Sequence, residues 1–423
     1  MLSVEDNERL TRVGPGTPMG NAFRQFWLPF MLSDELANDA PPRRVRLLGE
    51  DLIAFRDTQG RPGLVDRYCP HRRADLYFGR NEQCGLRCAY HGWKFDVDGN
   101  VTDMPAEPAN TPLLQDVKIK AYPMRDWGGV LWAYMGDPAT MPDEVPQFEW
   151  GLVPPHRRFI SKRLQQNNYA QAVEGGIDSA HVGILHSLLE PEPDTPFRQR
   201  QLPINPNLPL MAKDTAPRFF VRDTDYGFLV GARRNASEDE YYWRVTQFLL
   251  PFYSMIARWD GEPIVGHAWT PIDDHNTWTF TMTWHPERDF REGEQDPHEI
   301  HVEVEDEIAF LPVANKDNDY RIDREHQRLH STTGIHGIGA QDAAIQEGMG
   351  PIVDRSRETL GAGDAAIVSF RRRLLKMARD VEAGILPKAA AEPDLYQVRS
   401  AGMVLGKGTD FVAGLASRMK ARQ

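Results

Sequence analysis

Between residues 218 and 285, apolar and polar side chains alternate in short runs. These are RFFVRDT (218–224), YGFLVGARR (226–234), YYWRVTQFLL (241–250), PIVGHAWTPI (263–272) and NTWTFTMTWH (276–285). Period-two alternation between turn-rich breaks predicts strands, and their close succession predicts an antiparallel meander. An earlier stretch, RVRLLGEDLIAFRDTQGRPGLVDRYC (44–69), reads as shorter strands broken at Gly-Glu-Asp and Gln-Gly. The same texture returns in KFDVDGNVTDM (94–104) and GGVLWAYMG (128–136). Helical spacing appears from about residue 164, where Ala170, Val173, Ile177, Ala180 and Ile184 share a face. It appears again over 364–384, where Ile367, Leu374, Ala378 and Val381 precede a C-cap glycine, Gly384. Prolines at 138, 142, 146, 154 and 155 mark a boundary. A second proline-rich stretch, 191–209, is too long for a simple connection and is expected to be an entrance lid or poorly ordered. The pattern predicts an α+β protein: a small β domain, then a larger domain whose antiparallel sheet is gripped by helices.

Composition narrows the partners. The 423-residue chain holds 61 Asp and Glu against 49 Lys and Arg. That acidic balance argues against nucleic acid, because phosphate binding needs a basic face. The N-terminus, MLSVEDNERL, has acidic residues where a signal peptide needs a basic start. Apolar runs such as FLLPFYSMIA (248–257) reach half of the roughly 20 residues that a spanning helix requires. A cytoplasmic protein with no membrane segment is expected.

All three cysteines fall between residues 69 and 93, with two of the thirteen histidines. So few clustered cysteines argue for metal or catalysis over a disulfide framework. The order is Cys69-x-His71, sixteen residues, then Cys88-x-x-His91. Two loops, each offering a thiolate and an imidazole, describe a Rieske [2Fe–2S] centre. Pro70 and Gly92 suit tight turns that aim backbone amides at the ligands. Structural zinc also accepts two Cys and two His, but its modules usually pair like with like. Cys84 is left over and reads as a small buried thiol.

A second site is foreshadowed in EGGIDSAHVGILH (174–186). Asp178 and His181, three apart, would share a helix face, and His186 can converge with His181 if the helix ends or bends. Two imidazoles and one carboxylate on one iron leave positions open for dioxygen. Asp342, in GIGAQDAAIQEGMG (337–350), is the chosen carboxylate. Asp178 instead would accept the free N–H of His181 and fix its tautomer. It could also bond a cluster histidine across a subunit interface. Glu174 either supports these roles or is a solvated helix charge. In YYWRVTQF (241–248), Arg244 shares a strand face with Tyr242, Thr246 and Phe248, and is the leading anchor for the aromatic carboxylate that the chain's family resemblance implies as substrate. Arg218, Arg222 and Arg233 are the runners-up.

These residues, together with RVGPGTPMG (12–20), RLLGEDLIAFRD (46–57) and QDAAIQEGMGPIVDRSRETLG (341–361), resemble the oxygenase α subunits of the Rieske non-haem iron family, in particular its phthalate dioxygenase group. The resemblance implies Cys69, His71, Cys88 and His91 as cluster ligands. It implies His181, His186 and Asp342 as ligands of a mononuclear non-haem Fe(II), with Asp178 as the bridge. It further implies an N-terminal segment (1–40) packing on the catalytic domain, an all-β Rieske domain (41–149) and a helix-grip catalytic domain (150–423). Trimers or stacked trimers would pass electrons from one subunit's cluster to its neighbour's iron. A separate flavin and iron–sulfur reductase would draw them from NAD(P)H. The chain itself has no G-x-G-x-x-G after a strand, and GIHGIGA (334–340) has the wrong spacing. The expected reaction is cis-dihydroxylation of an aromatic carboxylate such as a phthalate isomer or a phenoxybenzoate. O-demethylation or ether cleavage is the near alternative, and an electron carrier or a zinc-knuckle binding protein the remote ones.

Overall fold

A computed structural model describes residues 2–187, 189, 208–259, 261–296 and 299–421. The proline-rich stretch expected as a lid lies outside them up to residue 207. The chain divides into two compact units, one of residues 13–145 and one of residues 1–12 with 146–423.

The 13–145 unit is built from short antiparallel strands in three small sheets. One joins Trp27–Leu32, Val130–Tyr134 and Met124–Trp127 in that order. The second runs Arg43–Leu47, Glu50–Arg56, Pro62–Asp66 and Ala121–Tyr122, and the third runs Arg80–Glu82, Gly85–Arg87, Lys94–Phe95 and Val101–Asp103. Ile53, Phe55, Val65, Leu76, Leu86, Trp93 and Phe95 form a core that also buries Cys69 and Cys88. The expected segment of residues 1–40 does not stay together. Its strand Trp27–Leu32 pairs with Val130–Tyr134 inside this unit, and only residues up to Arg12 belong to the other. Cys84 is half-buried in the hairpin turn after Glu82, at a positive φ of 58°, and is not the core thiol expected.

The larger unit holds an eight-stranded antiparallel sheet. Its order is Arg158–Gln165, Thr277–Trp284, Ile264–Pro271, Tyr253–Ile256, Glu240–Leu249, Gly227–Asn235 and Arg218–Thr224. Ala401–Gly406 pairs with Glu240–Leu249 on the side that short Tyr253–Ile256 leaves uncovered. The alternating runs read in the sequence are five of these strands, with ends that differ by at most one residue. The helices Tyr169–Ile177, Ile338–Gly348 and Ala365–Glu382 form the grip. The first of them packs on Tyr253–Ile256 and Ile264–Pro271.

That first helix starts later than its spacing predicts. Residues 163–165 are strand, and the Asn168 side chain caps the helix by accepting from the Ala170 N–H. It also ends sooner. Gly175 and Gly176 weaken its last turn, and Asp178 is already extended, with φ −74° and ψ 122°. Both glycines are needed for packing. A Cβ on Gly176 would sit 2.0 Å from the Trp269 indole, and one on Gly175 would sit 2.1 Å from Gln346 Nε2. A separate turn, Val182–Leu185, follows, and Ile184 is exposed instead of packed.

Glu174 is neither solvated nor a support for the metal site. It is buried and accepts from Arg355 at 3.0 Å and from Arg371 at 2.7 Å, and Arg355 also donates to Asn7 Oδ1. These charges pair because a lone buried one would be expensive.

Candidate active site

In the 13–145 unit, the two Cys-x-His loops meet. The His71 and His91 rings lie 4.4 Å apart, and Trp93 stacks on His71 at 4.6 Å. Both thiols are buried, whereas both imidazoles are half-exposed. The His71 and Arg72 amides donate to the Cys69 sulfur, and those of Tyr90 and His91 donate to Cys88. Gly92, at φ 77°, makes the return of the second loop possible. The hydrogen bond from the Cys69 thiol brings Cys88 down to about 6, and the same bond pushes Cys69 up. Amides aimed at the sulfurs and one thiol already tuned toward thiolate suit a [2Fe–2S] cluster with its imidazole side toward the surface.

In the larger unit, one ligand atom each from His181, His186 and Asp342 lies within 4.8 Å of the others. Both imidazole Nε2 atoms stand 3.5 Å from Asp342 Oδ1. The Nδ1 atoms are occupied elsewhere, so Nε2 is the atom free to bind a metal. His181 Nδ1 donates to Asp178 Oδ2 at 3.2 Å, and Asp178 Oδ1 is held by the Ala180 N–H. His186 Nδ1 bonds Gln341 Oε1 at 2.7 Å. Gln341 spends its Nε2 on the Ile335 carbonyl, which leaves Oε1 as acceptor and fixes the histidine as donor. Against the opposing effect of burial, the His181 hydrogen bond holds the Asp178 carboxyl below its usual range. Two outward-facing Nε2 atoms, a carboxylate and locked tautomers fit a mononuclear iron of the two-histidine, one-carboxylate type. The sequence pairing of Asp178 with His181 holds for a different reason than helix periodicity: the helix stops at Ile177 and the chain turns back. Gln341 escaped sequence reasoning, although it directly precedes Asp342.

His181, His186, Asp342 and Asp178 line one cavity. Arg244 lines it too, with Nη1 bonded to Ser179 Oγ at 3.0 Å and to Thr246 Oγ1 at 3.3 Å. Among the described residues it makes no ion pair, so its charge faces neutral partners. Burial lowers its pKa, and nearby Tyr242 and Asp178 oppose the shift. Arg234 clamps the same loop through the Ser179 carbonyl at 2.8 Å. The aromatic residues that share Arg244's strand face do not form the cavity wall: Phe248 packs on Phe228 and Phe370 instead. Apolar lining comes from Trp269, Met211, Ile256 and Ile300. Of the runner-up arginines, Arg218 and Arg222 are exposed, and Arg233 covers the Phe220 and Tyr241 rings. Sequence reasoning missed Arg163, Arg258 and His267, which do line the cavity. Burial, and then the nearby Arg163, pull His267 down to about 4, so its ring is neutral at neutral pH.

Residues 26–123 match the family model of the Rieske [2Fe-2S] domain, and residues 133–422 match that of the LigXa C-terminal domain like family. The chain is 41% identical to the phthalate 4,5-dioxygenase oxygenase subunit of Pseudomonas putida, over 91% of this chain and 88% of that one. The chain belongs to the Rieske non-haem iron oxygenases. A 3-chlorobenzoate-3,4-dioxygenase oxygenase subunit of Comamonas testosteroni is 35% identical over 99% of both chains. A 5,5'-dehydrodivanillate O-demethylase oxygenase subunit of a Sphingobium species is 34% identical over 92% of this chain and 83% of that one. Among solved structures, the Pseudomonas putida CBB5 NdmA QL mutant with theobromine has a TM-score of 0.61 at 19% identity, covering 93% of this chain and 99% of its own. This likeness shows the fold. As a Rieske oxygenase the chain uses a [2Fe–2S] cluster and a mononuclear non-haem iron, and takes electrons from a separate protein partner. Among the described residues, no helix is long and apolar enough to cross a membrane.

Proposed function

We propose that this Rieske oxygenase incorporates dioxygen into an aromatic carboxylate, with ring cis-dihydroxylation as its main reaction. The observation that carries this reading is the presence, in one cavity, of the His181, His186 and Asp342 donors and a buried Arg244 that makes no ion pair among the described residues. The named substrates of the phthalate and chlorobenzoate relatives are also aromatic acids. In this reading Cys69, His71, Cys88 and His91 hold the cluster, and His181, His186 and Asp342 hold the iron. When bound, the iron supplies a reducible site at which dioxygen is activated by electrons received from the cluster.

The chain's own residues do the rest. Arg244 binds the carboxylate through its planar fork, oriented by Ser179 and Thr246. Trp269, Met211 and Ile256 hold the ring and exclude water. Asp178 and Gln341 keep the N–H of each histidine on Nδ1, so that neither ring rotates away from the ligand geometry. Asp178 also serves as the bridge toward the cluster of a neighbouring subunit in a trimer. A cytoplasmic setting and a flavin and iron–sulfur reductase drawing on NAD(P)H complete the proposed system. O-demethylation is the second reading, favoured by the 34% identity to the O-demethylase subunit.

The test is substrate-dependent NADH and O₂ consumption with a borrowed reductase across benzoate derivatives, with product identified. Arg244→Ala should raise the apparent Kd for the active acid by about 30-fold while leaving both metals in place. Consumption without product from every aromatic acid removes the reading.

A further inference from the structure

We infer that the cavity has a second anion-recognising subsite at Arg163, at the opposite end from Arg244, and so favours an aromatic acid with a second anionic group on the far side of its ring. This rests on the proposed function and narrows its substrate class. Arg163 lies on the strand Arg158–Gln165, is 7% exposed and lines the same cavity. Its Nε and Nη1 have no hydrogen-bond partner, and among the described residues it makes no ion pair. The nearest carboxylates are committed elsewhere. Glu347 already accepts from the Gln166 N–H and from the Tyr320 hydroxyl, and Asp342 is the group on which the two histidines converge. A buried guanidinium left this way is costly. An anionic ligand would complete it.

The sheet sets the distance between the two cations. Three strands, Thr277–Trp284, Ile264–Pro271 and Tyr253–Ile256, separate the strand of Arg163 from that of Arg244. Four strand spacings of about 4.8 Å span roughly 19 Å across the sheet, and the register adds to this, because the ladder through Thr279 and Trp269 puts Arg163 level with the turn just past Leu249 rather than with Arg244. Between them, Thr279 stands directly opposite Arg163 and Trp269 directly opposite Thr279, and both line the cavity. The two side chains therefore reach in from opposite flanks, across a floor on which a ring can lie. Two ortho carboxylates share one edge of a ring and would both fall near Arg244 and Arg258. A meta or para carboxylate reaches toward Arg163.

The test is calorimetric binding of benzoate, phthalate, isophthalate and terephthalate to the anaerobic holoenzyme. Wild type should bind isophthalate or terephthalate about tenfold more tightly than benzoate, and Arg163→Met should abolish that ratio while leaving benzoate nearly unchanged. Arg244→Met should weaken all four acids. An unchanged ratio in Arg163→Met overturns the subsite, and so does an equal loss for all four acids. If Arg163→Met does not fold, Arg163→Lys is used, and a ratio equal to wild type overturns the subsite. Failure of wild type to bind any of the four acids overturns the subsite, whereas the proposed function falls only if no aromatic acid gives product.

Discussion

The cluster loops and the catalytic cavity solve the same problem, holding a metal, in opposite ways. The loops collect their four donors within residues 69–91, and much of the fixing is done by backbone: amides of His71, Arg72, Tyr90 and His91 reach the two sulfurs. The cavity draws its three donors from residues 181 to 342. There the fixing is done by side chains that are not donors, Asp178 and Gln341, and by helix ends that stop at the right residue. A backbone-built site tolerates change in neighbouring side chains. A site built from side chains exposes each supporting residue to mutation, and so offers more ways to be retuned.

That contrast can be broken one side at a time. The largest effect is expected from His181→Ala, which should drop turnover to background and iron from about three to about two per chain, with the cluster's visible absorption intact. Loss of colour would show that the two sites do not separate in this way. Asp178→Asn should keep both metals yet slow single-turnover delivery of electrons by roughly 10–100-fold. A wild-type rate would take Asp178 out of the bridging role. Gln341→Ala leaves His186 Nδ1 without its acceptor and should weaken iron retention by about tenfold in a chelator competition, with cluster content unchanged.

The smallest effect belongs to the loops. Despite the opposing cost of burial, the Arg67 guanidinium, the Tyr77 N–H and Arg44 hold Asp75 down at about 2. Its folded pKa lies below the unfolded value of about 3.9, so its contribution is complete above that value and is lost as pH falls toward about 2. After solvent screening this amounts to roughly 1–2 kcal/mol. Asp75→Asn should flatten the acid limb of the thermal midpoint by that amount. An identical acid limb in the variant would mean that these guanidiniums do not set the acid response.

Legibility followed the same divide. The cluster motif could be read outright because its ligands, its spacing and its turn-forming Gly92 lie in one short stretch. The strands of the meander could be read because turn-rich breaks bracket each short run, even though strands such as Ile264–Pro271 are buried on both faces. His181, His186 and Asp342 could be named from residue chemistry, but Gln341, Arg163 and His267 could not, since only the fold brings Gln341 to His186 and the other two to the cavity. The strand Arg158–Gln165 was masked by the helical pattern that overlaps its end, and Cys84 by its lack of a chemical partner. Glu174 misled because a carboxylate on a helix normally faces water, whereas two arginines from about 180 and 200 residues downstream cover this one.

That buried carboxylate has a practical corollary. Through Arg355 it reaches Asn7, so the chain's opening helix, Val4–Thr11, helps keep two guanidiniums dry beneath the segment that ends in Asp178. Trimming the protein past Asn7, whether by a protease or by a misplaced start codon, would let water reach the buried Arg355–Glu174 pair at the helix Tyr169–Ile177. The damage would then surface as lost stability of the larger unit, far along the sequence from the cut.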